Sequence, residues 1–107
     1  MIRGTTPTHT FTLPNDLKAL TISALYITYA QYGKTVLEKT LEDVKITDGV
    51  ITCTLTQADT LAFKVVDQYC GGDKVDIQVR LKTSDGTAMA SDIMRIPVID
   101  ILKDGEI

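Results

Sequence analysis

The amino-acid sequence predicts an all-β fold, a two-sheet antiparallel immunoglobulin-like β-sandwich of about seven strands with one short helical crossover near residues 57–65. Three observations carry this. Short runs rich in Val, Ile, Thr and Tyr recur at fairly even spacing, each bounded by Gly, Pro, Asn or Asp. One run alternates without a break: Val75, Ile77, Val79 and Leu81 fall on one face, and Lys74, Asp76, Gln78, Arg80 and Lys82 on the other. The one segment with helical spacing is too short for a βαβ array. The chain lacks Trp and the cysteine pair of antibody domains, so the likeness is architectural.

Residues 1–7 hold Gly4 and Pro7 among threonines and read as a loose leader. Residues 8–13 (THTFTL) set Phe11 and Leu13 on one face, a short first strand that Pro14, Asn15 and Asp16 end with turn chemistry. Residues 20–30 (LTISALYITYA) read as a longer second strand, turned at Gln31-Tyr32-Gly33. Residues 34–46 are two-sided. Leu37, Leu41 and Val44 sit at i, i+4 and i+7, as on a helix face, yet Glu38 and Glu42 repel at that spacing and the turn before favours a hairpin. A strand over 35–40 is predicted, then a short strand or turn to Asp48-Gly49, then a strand over 50–56. Thr56 with Asp59 three positions on forms a capping pair, and Ala58, Leu61, Ala62 and Val65 follow a helical period for about two turns. A glycine-bearing loop over 69–73 leads into the long hairpin, and the tail, residues 99–107, follows it.

Two registers are open to that hairpin. A two-residue Asp85-Gly86 loop sets Leu81 opposite Ala90, Ile77 opposite Met94 and Val75 opposite Ile96. A three-residue loop from Ser84 turns Met89, Ser91, Ile93, Arg95 and Pro97 inward instead. The first set is more apolar and faces Asp76 with Arg95, so the two-residue loop is predicted, with a bulge near Asp92 where the pattern stumbles.

At 107 residues the chain is one domain, large enough to bury a core without metal or disulfide help. A net charge of -3 and singly scattered Lys and Arg argue against nucleic acid. The start, MIRGTTPTHTF, has no apolar signal run, and no segment nears the ~20 apolar residues that span a bilayer, so neither secretion nor a membrane is expected. The protein is expected to be cytoplasmic when made. Cys53 shares parity with Ile51 and Leu55 and reads as a buried, inert thiol; Cys70 falls in the YCGGD loop, and no disulfide is expected.

The chemistry-bearing residues are few. His9, the single histidine, has a threonine on each side and no base or nucleophile near it in sequence. With Cys53 and Cys70 it makes three zinc-type ligands without paired spacing. The carboxylates of Glu42-Asp43, and of Asp67, Asp73 and Asp76, read as solvated faces, with a weak calcium site at Asp67 and Asp73 the alternative. Gly71-Gly72-Asp73-Lys74 lacks P-loop spacing and precedes a strand. No catalytic residue, metal or cofactor is assigned, and the expectation is a protein that is not an enzyme. Tyr26 and Tyr29 have opposite parity, so Tyr26, Tyr29 and Tyr32 read first as core and rim packing.

Four segments carry a resemblance: THTFTLP near the start, ITYAQYGKTVLEK in the first hairpin, LTQADTLAF before the crossover, and VDIQVRLKTSDGTAMASDI. Through them the chain resembles small all-β structural proteins of tailed phages and prophages of Gram-positive bacteria, above all the immunoglobulin-like N-terminal domain of baseplate upper proteins. The resemblance implies a non-enzymatic tail or baseplate component, incorporated into a virion, whose partners are other phage structural proteins or further copies of itself in a homo-oligomer. The residues expected to make such contacts are Ile99, Ile101, Leu102 and Ile107 of the tail, with Tyr29 and Tyr32. The alternative is a small carbohydrate-binding or adhesion module, which requires Tyr29 and Tyr32 to stand exposed and coplanar.

Overall fold

Strands form wherever a two-residue apolar period is closed off by turn residues. In the computed structural model, which describes residues 1–15, 20–66 and 72–107, they are β1 (Thr8–Thr12), β2 (Ile22–Gln31), β3 (Lys34–Thr40), β4 (Lys45–Thr47) and β5 (Val50–Thr54). A helix α1 (Gln57–Leu61) follows, then β6 (Asp73–Thr83), β7 (Ala88–Ala90) and β8 (Met94–Val98). They pair into two antiparallel sheets, one ordered β1-β5-β4, the other β3-β2-β6 with β7 and β8 sharing the far edge of β6. This is the B-E-D and C′-C-F-G order of an immunoglobulin sandwich. The described strands number eight rather than about seven, because the last one is split.

Two tight hairpins are as their sequences require. Tyr32 and Gly33 have φ of 53° and 75°, and Asp48 and Gly49 of 50° and 75°, the positive pair of a turn that matches strand twist. Between them the two-sided segment is strand Lys34–Thr40, one 3-10 turn at Leu41–Asp43, and β4.

The long hairpin corrects the loop prediction while keeping the register it was meant to give. Near the turn Leu81 faces Met89 and Lys82 faces Ala88, so the loop is the three-residue Ser84-Asp85-Gly86. Thr83 and Thr87 close it, with Thr87 N–H donating to the Asp85 carboxylate at 3.1 Å and Gly86 at φ 93°. Further along, Ile77 faces Met94, Asp76 faces Arg95 and Val75 faces Ile96. One extra residue is absorbed between β7 and β8. The bulge is stitched to β6: Ser91 N–H donates to Val79 O at 2.8 Å, Val79 N–H to Ser91 Oγ at 3.0 Å, and Gln78 Nε2 to Ser91 O at 3.0 Å. Its reason is apolar parity, since it lets Met89 face inward before the bulge and Met94, Ile96 and Val98 after it.

The core lies between the sheets. Val75, Ile77, Val79 and Leu81 from β6, Leu25, Ile27 and Tyr29 from β2, and Ile51, Cys53 and Leu55 around β5 are all buried, with Phe63 inserted from beyond α1. The helix is shorter than predicted. Thr56 and Asp59 do form the reciprocal cap, but the helix ends at Leu61, and Ala58 and Ala62 are exposed while Thr60 is its buried residue. The chain must leave the helical path there to seat Phe63. The predicted turn residue Asp16, the calcium candidate Asp67 and the loop cysteine Cys70 lie outside the described residues.

Candidate interaction surface

The tail residues named from sequence gather at the end of the sandwich that carries α1. Ile99, Leu102 and Ile107 are exposed there, and exposed Ile2 joins them through a parallel bridge to Ile99. Ile101 is the exception. It is partly buried against the leader, where a side chain at Gly4 (φ 75°) would collide with it.

Arg3, a residue the sequence reading passed over, holds this end together. Its Nε donates to Phe63 O at 2.8 Å, its Nη2 to Leu61 O at 3.1 Å and its Nη1 to the Asp100 carboxylate at 2.6 Å. The guanidinium thereby satisfies two carbonyls left open where α1 stops, and ties them to the tail. The Ile101 N–H, and then Arg3, hold the Asp100 carboxyl below the usual carboxylate range. Backbone bonds add to this: Arg3 N–H donates to Ile99 O at 2.9 Å and Ile99 N–H to Met1 O at 2.8 Å. Residues 1–3 of the leader are therefore paired with the start of the tail. The tail is fastened at its far end as well, where Ile107 N–H donates to Gln57 Oε1 at 2.8 Å. Its backbone folds back on α1 while Leu102 and Ile107 turn their side chains outward.

The two tyrosines part company. Tyr32 stands 66% exposed at a hairpin tip, whereas Tyr29 is fully buried, so Tyr29 leaves the surface set and the two rings make no shared platform. Its parity with Leu25 and Ile27 was the available signal. The Tyr29 hydroxyl meets His9 Nδ1 at 2.7 Å, and its ring stands edge-on to Phe63 at 6.0 Å. Burial pushes the Tyr29 phenol up and the His9 imidazole down, the latter helped by the positive amino terminus. Burial likewise raises the Cys53 thiol, which makes it a poor nucleophile. Beside this cluster Lys39 Nζ lies 2.9 Å from the Asp59 carboxylate, joining β3 to α1. Burial works against the Asp59 charge, but the Thr56 N–H and Lys39 outweigh it and leave the carboxyl below its usual range. Among the described residues, no three His, Cys, Asp or Glu come together as metal ligands would, and no helix is long and apolar enough to cross a membrane.

At the opposite end of the sandwich the two sheets stand apart. Between β1 and the β7–β8 edge lies an open groove of about 410 Å³, floored by Phe11, Leu13, Val79, Leu81, Met89 and Met94. Sequence parity placed all of these but Met89 inward, since the predicted two-residue loop turned Met89 outward, and nothing local revealed that no described strand covers them.

The fold thus defines an all-β, two-sheet antiparallel sandwich. No protein-family model, no curated protein and no solved structure matches this chain significantly.

Proposed function

We propose that this protein is a non-enzymatic structural or assembly component that works by docking onto other protein subunits, in the setting of a tailed phage or prophage that its sequence segments resemble. One observation supports this most. Ile2, Ile99, Leu102 and Ile107 are exposed together at the α1 end, although the backbone beneath them is firmly held by Arg3 and Gln57. Apolar side chains displayed on an ordered frame are what a protein interface requires, whereas a merely solvated terminus has no need of them. A carbohydrate-binding role has less support, since burial of Tyr29 removes half of the stacking surface it needs.

Deleting residues 102–107 and measuring mass in solution tests the proposal. The intact chain is expected to form an oligomer, alone or with a partner subunit, that falls to a folded monomer on deletion. A monomer before and after, with lower thermal stability only, would leave the tail as a self-covering flap and remove the proposal's support.

A further inference from the structure

We infer that the outer face of the five-stranded sheet, at Tyr26, Arg80 and Lys82, docks a carboxylate-bearing segment of an acidic partner protein. The inference rests on the assembly reading above only in taking the partner to be a protein subunit, and it adds a contact surface away from the tail.

The strand register builds the patch. Residues directly opposite on paired strands project from the same face. Tyr26 of β2 and Ala90 of β7 flank Arg80, and Ala24 and Ala88 flank Lys82 in the same way. The two cations stand about 7 Å apart along β6. Tyr26 is 48% exposed, and Arg80, Lys82, Ala88 and Ala90 are exposed with it.

Charge sets this patch apart from an ordinary wet face. The chain is net negative at -3, yet Arg80 and Lys82 make no ion pair or side-chain hydrogen bond with any described residue. The same strand shows the contrast, since Asp76 is matched across to Arg95 at 2.7 Å. Other carboxylates of the region are committed or displaced. Asp85 accepts from Thr87 N–H within its own loop, Asp92 lies between β7 and β8, and Glu38 stands two strands away, in the row of Thr28 and Gln78. Arg80 and Lys82 therefore repel each other with no internal compensation, and an external carboxylate relieves that repulsion.

Shape points the same way. Alanine is depleted in strands because it leaves the pleated surface unpacked. Here it holds every position flanking Arg80 and Lys82 except that of Tyr26. No long neighbour covers the guanidinium or the ammonium on either side, so a partner backbone can come close. Arg and Tyr are the residue types that anchor protein interfaces, and a guanidinium receives a carboxylate through two parallel N–H bonds. An extended segment with acids at alternate positions repeats the spacing of the two cations.

A nucleic acid fits less well, because two cations neutralise few phosphates and the net charge repels the rest. A second copy also fits less well. Asp43, Asp59, Asp76, Asp85 and Asp100 already hold groups of their own chain, and two copies at -3 repel. Both arguments favour a different, more acidic chain.

The test titrates an acetylated, amidated peptide of alternating glutamate and threonine, about seven residues long, into the isotope-labelled full chain. Expected are amide shifts at Tyr26, Arg80, Lys82, Ala88 and Ala90 that shrink when salt rises from about 0.05 M to about 0.5 M. Arg80→Gln should weaken binding about three- to five-fold with Tm held within about 4 °C. Arg80→Lys should restore only part of it, since lysine keeps the charge without the fork. Tyr26→Ser should weaken binding as well, and Lys45→Gln on the other sheet should leave it unchanged. Absence of shifts at millimolar peptide overturns the inference. So does equal weakening by Lys45→Gln, which would mean diffuse attraction, or equal binding of the peptide with glutamine in place of glutamate. Tighter binding of an oligothymidylate at the same amides would assign the face to nucleic acid and overturn it. The same shifts in the concentrated protein alone would assign it to a second copy, with the same consequence. An assembly lost on deletion of residues 102–107, without peptide binding, removes this inference alone, whereas peptide binding by a chain that never assembles removes the tail reading alone.

Discussion

Arg3 concentrates more structure than any other polar side chain described. Removing it leaves the Leu61 and Phe63 carbonyls without a donor and releases Asp100. Arg3→Ala should therefore cost about 2–3 kcal/mol by denaturant unfolding, and Arg3→Lys should recover less than half, because one ammonium cannot reach three acceptors as the fork does. His9 gives a second residue-scale expectation. Its folded pKa is lowered, chiefly by burial, so the unfolded chain takes up the proton first as pH falls. Stability from neutral His9 is present above about pH 6.5 and is lost as pH drops below it. His9→Gln should flatten unfolding free energy between about pH 7 and about pH 5. An unchanged slope would mean that His9 is not the group responsible. Arg3 was illegible in sequence because its partners lie in two separate segments, 58 and 60 residues away at Leu61 and Phe63 and 97 residues away at Asp100, whereas Cys53 was legible from its parity with Ile51 and Leu55.

At the level of elements, the alternation in β6 fixes which face is dry. Val79→Asp should cost about 4 kcal/mol or more, and Lys82→Gln on the wet face about 0.5 kcal/mol or less, both by denaturant unfolding; similar losses would mean the facing is wrong. The turns at Tyr32-Gly33 and Asp48-Gly49 were readable, since positive φ is a local demand. The 85–86 loop was misread for a physical reason. A three-residue loop and a later bulge cancel, and both routes give the same pairs from Ile77 to Val75. The cross-strand pair Asp76–Arg95, with Arg95 Nε donating at 2.7 Å, follows from the distal register alone. Helix length failed in the same way. The Ala58–Ala62 period runs on, but Phe63 is needed in the core and Arg3 takes up the open carbonyls where α1 stops.

Across the whole molecule, about 46 Å long, the two exposed apolar features sit at opposite ends, the tail patch beside α1 and the groove beside the 84–86 loop. The character of the tail contact can be separated from general charge effects. The chain carries a net charge of -3, and Ile2, Ile99, Leu102 and Ile107 are uncharged, so self-repulsion opposes association and apolar burial favours it. Raising salt from about 0.05 M to about 0.5 M shortens the Debye length several-fold and weakens that repulsion, so association through this patch should hold or tighten. Leu102→Ser with Ile107→Ser should abolish it at either salt while the unfolding midpoint stays nearly constant, because neither side chain is covered in the isolated chain. Sedimentation across the salt series reads both effects. A complex that dissolves as salt rises would instead assign the contact to ion pairs, with Lys103, Asp104 and Glu106 of the same tail the groups to mutate next.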